Sequence, residues 1–243
     1  MLRLSDLHLV GSKSELGMIP EGKVLINTIN AHSYNVAQND AAFAEALTMG
    51  DYLLPDGASI VKACRWLKGR TLPKERIAGW DLFAFEMARL SENSNRHPCV
   101  MFMGSSELVL AKIRERAAKD YPNIEVVTFS PPFKSEFTDE DNTAIINAIN
   151  QVNPDLLWIG MTAPKQEKWT WQHWKELDIH CHVGTIGAVF DFYAGTAKRA
   201  PLWMQRHSLE WLYRLAKEPK RMWRRYIIGN PLFIFRIVKE KMK

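Results

Sequence analysis

The sequence predicts an α/β fold: a Rossmann-like, mostly parallel sheet with helices on both faces, followed by a C-terminal helical appendage. Three observations predict it. Six short apolar runs recur along the 243 residues, stretches of helical spacing separate most of them, and after about Pro201 the pattern changes to short basic helical stripes. Strand and helix in alternation call for a parallel sheet covered on both faces. The apolar runs lie at 23–28, 52–54, 98–103, 124–129, 156–161 and 179–183, and the helical spacings at 34–47, 108–118, 143–149 and 166–177. With 47% hydrophobic and 24% charged residues the chain can bury a sizeable core.

In the last part, Leu209, Leu212, Tyr213 and Ala216 form one stripe, which Pro219 interrupts. Met222, Trp223, Tyr226 and Ile227 form a second beside Arg221, Arg224 and Arg225, and Gly229, Asn230 and Pro231 are expected to break the chain again before a third stripe at Leu232. Residues 203–243 hold eleven Lys or Arg against three Glu, so the net charge of +5 resides in this tail and residues 1–202 are slightly acidic. The expected division is therefore an α/β catalytic domain, 1–202, and a basic amphipathic appendage, 203–243. Basic helices bearing Trp and Phe suit an anionic membrane surface. The uncharged run 226–235 has only ten residues against ~20 needed to span, so the tail is expected to lie on the membrane. Arg236, Lys239, Lys241 and Lys243 are expected to dock it there.

Near the start, Arg3, Asp6, Lys13 and Glu15 leave no apolar run of signal-peptide type, which leads us to expect a cytoplasmic protein, peripheral on the cytoplasmic face of the inner membrane. Cys64, Cys99 and Cys181 are odd in number and far apart, a pattern of reduced thiols rather than of a disulfide framework or metal site. A nucleic-acid-binding tail is the competing use of such cations. The acidic balance of residues 1–202 speaks against it, so no nucleic-acid partner is expected. An inert nucleotide-binding module at the membrane is the other alternative.

In parallel sheets ligands bind beyond the carboxyl ends of the strands, so chemistry is sought in the loops that follow them. Thr28 and Asn30 end the first run, as groups able to hydrogen-bond a sugar or phosphate or as a helix cap. Asp56, in Pro55-Asp56-Gly57, is a turn residue or a general base. Arg76 is a surface cation or an anion ligand. From Gly160 a buried strand enters a helix opening at Pro164, Lys165, Gln166 and Glu167, whose free N–H groups suit phosphate. Gln166 can donate and accept towards sugar hydroxyls. Gly104-Ser105-Ser106 after the third run is a weak nucleotide signal. Asp139-Glu140-Asp141 has a metal-binding spacing but follows Thr138 at a helix start. His180 and His182 have no third ligand at metal spacing, so no metal site is expected.

Taken together, the ordered blocks 27–30, 54–57, 75–82, 160–169 and 184–225 resemble the WecG/TagA/CpsF glycosyltransferases of bacterial surface-polysaccharide synthesis. The last block is the most specific, with Gly187-Ala188-Val189-Phe190-Asp191, Lys198-Arg199-Ala200-Pro201 and Glu210-Trp211-Leu212-Tyr213-Arg214. The resemblance implies an inverting transferase without a cofactor, moving N-acetylmannosamine, its uronic acid or glucose from a UDP-sugar to an undecaprenyl-diphosphate-linked saccharide. It implies Asp56 as base, with Thr28, Asn30, Arg76 and Gln166 in the active site. Arg214, Arg221 and Arg224 would close over the diphosphate, and Gly104, Gly160, Pro164, Lys165, Glu167, Gly187, Asp191 and Arg199 would line the donor site. Thr162 and Thr185-Ile186 depart from the family pattern beside that site. Removing 232–243 is expected to reduce liposome binding and activity on a long-chain acceptor while leaving turnover of a soluble analogue largely intact. An exposed apolar tail would also favour a homo-oligomer.

Overall fold

The computed structural model describes residues 2–92 and 97–242. Six strands form one sheet, parallel at every pairing, in the order β2-β1-β6-β5-β3-β4. They are β1 (Val24–Ile29), β2 (Tyr52–Pro55), β3 (Cys99–Gly104), β4 (Glu125–Phe129), β5 (Leu156–Gly160) and β6 (His182–Thr185). The first five coincide with the apolar runs to within one residue, and the last starts and ends later. Gly184 pairs with Ile26 of β1, and Thr185 with Ile159 of β5. The polar Thr185 fits there because its hydroxyl donates to Asn27 Oδ1 at 2.8 Å, while Asn27 Nδ2 donates to the Ala46 carbonyl at 2.9 Å.

Side chains alternate across each strand, and the two faces fill separate cores. Leu156 and Trp158 of β5 meet Phe83, Leu110 and Phe190, from α4 (Gly79–Ser91), α5 (Glu107–Asp120) and α8 (Gly187–Tyr193). Leu157 and Ile159 face Ile145, Ile149 and Trp169, from α6 (Asp139–Val152) and α7 (Lys165–Gln172). At the β2 edge, α1 (Ala31–Ala37), α2 (Ala41–Thr48) and α3 (Ala58–Leu67) close a third cluster.

The spacing over 34–47 reads as one helix, but the structure has two, α1 and α2. Asp40 accepts from the Phe43 N–H at 2.9 Å and starts a new helix, so a cap inside the apolar pattern overrides its continuity. The acidic triplet does open a helix: Thr138 accepts from the Asp141 N–H at 3.2 Å and Asp141 from the Thr138 N–H at 2.9 Å. His182 is a structural residue, held between Glu86 Oε1 at 3.0 Å and the Pro20 carbonyl at 2.9 Å.

Beyond α9 (Leu202–Arg206) and α10 (Glu210–Lys217), Pro219 begins α11 (Pro219–Trp223) after a non-helical Glu218. The second expected break is absent. A π-helical turn over Arg224–Ile228 runs directly into α12 (Gly229–Lys241). Pro231 has no N–H and its ring crowds the carbonyl four residues back, at Ile227. The π-helical turn, with its wider winding, ends three residues before Pro231, where such a clash has to be relieved.

The end of the tail is not a detachable docking segment, contrary to expectation. Phe233 and Ile237 of α12 are buried with α1 and α3. Glu240, 8% exposed, accepts from the Leu4 and Ser5 N–H groups at 3.1 and 2.8 Å and from the Tyr34 hydroxyl at 2.8 Å. Arg236, expected to face a membrane, instead donates to Asn35 O at 2.7 Å. Lys241 reaches the Leu67 carbonyl at 3.4 Å, and Lys243 lies outside the described residues. Among the described residues no helix is long and apolar enough to cross a membrane.

Candidate active site

The carboxyl ends of β1, β2, β5 and β6 open into one cavity of about 1540 Å³, roofed by the helices after Pro201. Of the residues expected in the active and donor sites, all line it except Gly104 and Pro164. Gly104 ends β3 in register with Gly160 of the neighbouring strand, and Pro164 caps α7.

Asp56 follows β2 directly. Its N–H donates to the Ile29 carbonyl at 2.8 Å, and Gly57, at φ 151°, turns the chain into α3 in a conformation other residues rarely adopt. That turn leaves the Asp56 carboxylate half-buried on the cavity wall. Burial raises its pKa to about 6, with Glu210 adding to the rise and Arg76 and Arg225 opposing it. Thr28 stands beside it at the end of β1, in register with Leu54.

Asn30 and Gln166 are occupied by the protein itself. Asn30 caps α1, accepting from the His32 and Ser33 N–H groups at 3.0 and 3.1 Å. Gln166 Oε1 accepts from the Met161 and Gly187 N–H groups at 3.1 and 3.2 Å, and its Nε2 donates to Glu167 Oε1 at 2.8 Å. Its amide thus ties the β5 loop to the β6 loop and shapes the floor. Gly187 is required at this junction, because a Cβ there would stand 2.1 Å from the Met161 carbonyl oxygen. Burial lifts Glu167 to about 7, and its Oε2 has no hydrogen-bond partner among the described residues.

Six arginines line the cavity: Arg76, Arg199, Arg214, Arg221, Arg224 and Arg225. Arg76 is bound to Glu210 of α10 at 3.0 Å, which fastens the roof to the loop before α4. Arg199 stacks on Trp80, 4.8 Å from the ring centre, and donates to Gln205 Oε1 at 2.9 Å. Arg214 lies 5.8 Å over Phe192, and Arg221 pairs with Glu218 at 2.8 Å. Arg214 and Arg221 belong to different helices, so the fold of the tail, not one helical face, brings them together. Lys165 lies over Phe137 at 3.4 Å, and Asp191 Oδ1 accepts from Thr196 Oγ1 at 3.2 Å.

The chain matches the glycosyl transferase WecG/TagA/CpsF family over residues 14–243. It belongs to that family. Among its relatives, an N-acetylglucosaminyldiphosphoundecaprenol N-acetyl-beta-D-mannosaminyltransferase of Bacillus spizizenii (strain ATCC 23059 / NRRL B-14472 / W23) is 30% identical, over 98% of this chain and 88% of the relative. Proteins of the same name from Bacillus subtilis (strain 168) and Staphylococcus aureus (strain MW2) are 29% and 28% identical. They cover 89% and 90% of this chain and 80% and 82% of themselves.

Two features of the cavity escape a reading by motif alone. Glu210 is legible only as part of a block, and its partner Arg76 lies 134 residues earlier. Arg225 looks like one more cation in a basic stripe, yet its Nε is buried without a hydrogen-bond partner among the described residues.

Proposed function

We propose that this chain transfers a sugar of the N-acetylmannosamine type from a UDP-sugar to a saccharide carried on undecaprenyl diphosphate, with inversion. The observation that carries the reading is one cavity combining a strand-end carboxylate with a pKa near 6 and six arginines. The relatives' names supply the acceptor and sugar classes.

In this mechanism the acceptor hydroxyl gives its proton to Asp56 as its oxygen bonds to the anomeric carbon. The bond from that carbon to the diphosphate breaks, and UDP leaves with the negative charge. A base is most effective with a pKa near the working pH, where it is ionised yet still basic. The departing diphosphate needs preorganised positive charge. Arg199, Arg214, Arg221 and Arg224 supply it through planar forks matched to phosphate oxygens. With the arginines in that role we propose that no metal is needed, so turnover should persist in EDTA.

Work at a membrane fits the surface of the tail. Leu202, Trp203, Ile227, Ile228, Ile234 and Phe235 are each more than half exposed. Such a concentration of apolar surface marks a contact site. We place it against the cytoplasmic face of the inner membrane.

The test is a screen of UDP-sugars with a short-chain lipid-diphosphate sugar acceptor, read by mass spectrometry. Transfer of N-acetylmannosamine with loss of at least about 10²-fold in Asp56→Asn is the expected result. A folded Asp56→Asn protein with ordinary turnover removes the base assignment. Absence of transfer with every donor leaves the inert module as the better reading.

A further inference from the structure

We propose that an apolar arm of the cavity, a trough between α3 and α12, holds the first isoprene units of the polyprenyl-diphosphate acceptor. The inference rests on the lipid-linked acceptor put forward above and says where its chain lies.

The cavity is lined by Ala63 and Trp66 of α3 and by Phe233, Ile234, Ile237 and Val238 of α12. Steps of three and four residues keep one face of a helix turned to the same space, so the cavity follows both helices rather than ending at their tips. From Phe233 to Val238 the helix rises by roughly 8 Å at 1.5 Å per residue. Ala63, Phe233 and Ile237 are buried and form the floor. Trp66, Ile234 and Val238 are 49%, 61% and 38% exposed and form the rims.

The other end of the trough is charged. Lys62, one residue before Ala63, and Arg225, in the π turn before α12, both line the cavity. Arg225 is the guanidinium with the buried, unpartnered Nε, and its charge acts on Asp56 and on His32. A diphosphate set against Lys62 and Arg225 directs its sugar towards Asp56 and its hydrocarbon into the trough. A UDP-sugar has no apolar chain, so the donor leaves this arm unexplained. A peptide would bring backbone N–H and C=O groups that the apolar side chains here leave unsatisfied. A prenyl chain needs only apolar contact, and it would cover the exposed apolar surface of Ile234 and Val238.

The test is photo-crosslinking of the full chain with farnesyl diphosphate carrying a diazirine in its hydrocarbon, with labelled peptides mapped by mass spectrometry. The expected label falls on α3 and α12 and is displaced by unmodified farnesyl diphosphate at far lower concentration than by inorganic diphosphate, which can compete only for Lys62 and Arg225. Ile234→Asp with Val238→Asp, both at exposed positions, should cut it about tenfold while leaving circular dichroism and thermal midpoint unchanged. Label centred on Trp203 or Ile227, inorganic diphosphate displacing it as effectively as farnesyl diphosphate, or an unaltered yield in the double variant would overturn the trough. If that variant loses its fold, Trp66→Asp at the opposite rim gives the same readout. Trough labelling without sugar transfer to any acceptor would sink the transferase reading and keep the trough. Transfer with label elsewhere does the reverse.

Discussion

Asp56 is held in a position that suits a base and costs stability. Burial lifts its folded pKa from the ordinary carboxylate range to about 6, so between those values the folded state binds more protons than the unfolded chain. Its contribution to stability is therefore greatest in acid and is lost as pH rises through about 6. Asp56→Asn should raise stability at pH 7–8 by about 1–3 kcal/mol, with little effect near pH 4, as read from urea unfolding at the two pH values. Activity has the opposite dependence: kcat/KM should climb as pH rises through about 6, because only the ionised carboxylate accepts a proton. A pH profile flat from 5 to 8 would remove Asp56 from the role. The sequence left Asp56 open between turn and base, since Pro-Asp-Gly fits both. Only its fit to a longer set of blocks favoured the base. Gln166 illustrates what a sequence leaves out. An amide is suited to sugar hydroxyls, but whether backbone N–H groups already occupy it depends on Gly187, twenty-one residues away.

Among the elements, α10 ties the roof of the cavity to its wall through Glu210 and Arg76. Glu210 also raises the pKa of Asp56. In Glu210→Gln the acid limb of the pH profile should move to lower pH, and limited proteolysis within 203–223 should quicken as α10 loosens. An unmoved limb with unchanged proteolysis would mean the pair is only surface decoration. At α12, Glu240 accepts from two backbone N–H groups and a hydroxyl. Glu240→Ala leaves these donors without their partner, and because each buried unsatisfied group costs about 1–3 kcal/mol, a loss of roughly 3 kcal/mol or more is expected in denaturant titration. Periodicity placed the strands well because a buried parallel strand is a continuous apolar run. It failed at Asp40 and at Pro231, where a cap and a π turn, each a matter of one or two residues, decided the outcome.

For the whole molecule, the parallel sheet and the cavity at the strand ends were legible from the alternation of elements, whereas the order of the strands was not. The placing of the last helix was not, since a basic amphipathic stripe looks alike whether it covers a membrane or its own domain. Docking should therefore depend on the outward residues. Trp203→Ser with Ile227→Ser and Phe235→Ser should reduce sedimentation with anionic liposomes severalfold at unchanged thermal midpoint. Undiminished sedimentation would place the contact elsewhere. The pinning of Leu4 and Ser5 by Glu240 also has a bearing on how the protein is made. The edge of the sheet that the ribosome delivers first cannot finish its packing until α12 has cleared the exit tunnel. A nascent chain stalled before that point would expose the cluster around Tyr34 and Leu53 and be a substrate for chaperones. Completion of the cavity, which α12 helps to line, is thereby coupled to the emergence of that helix.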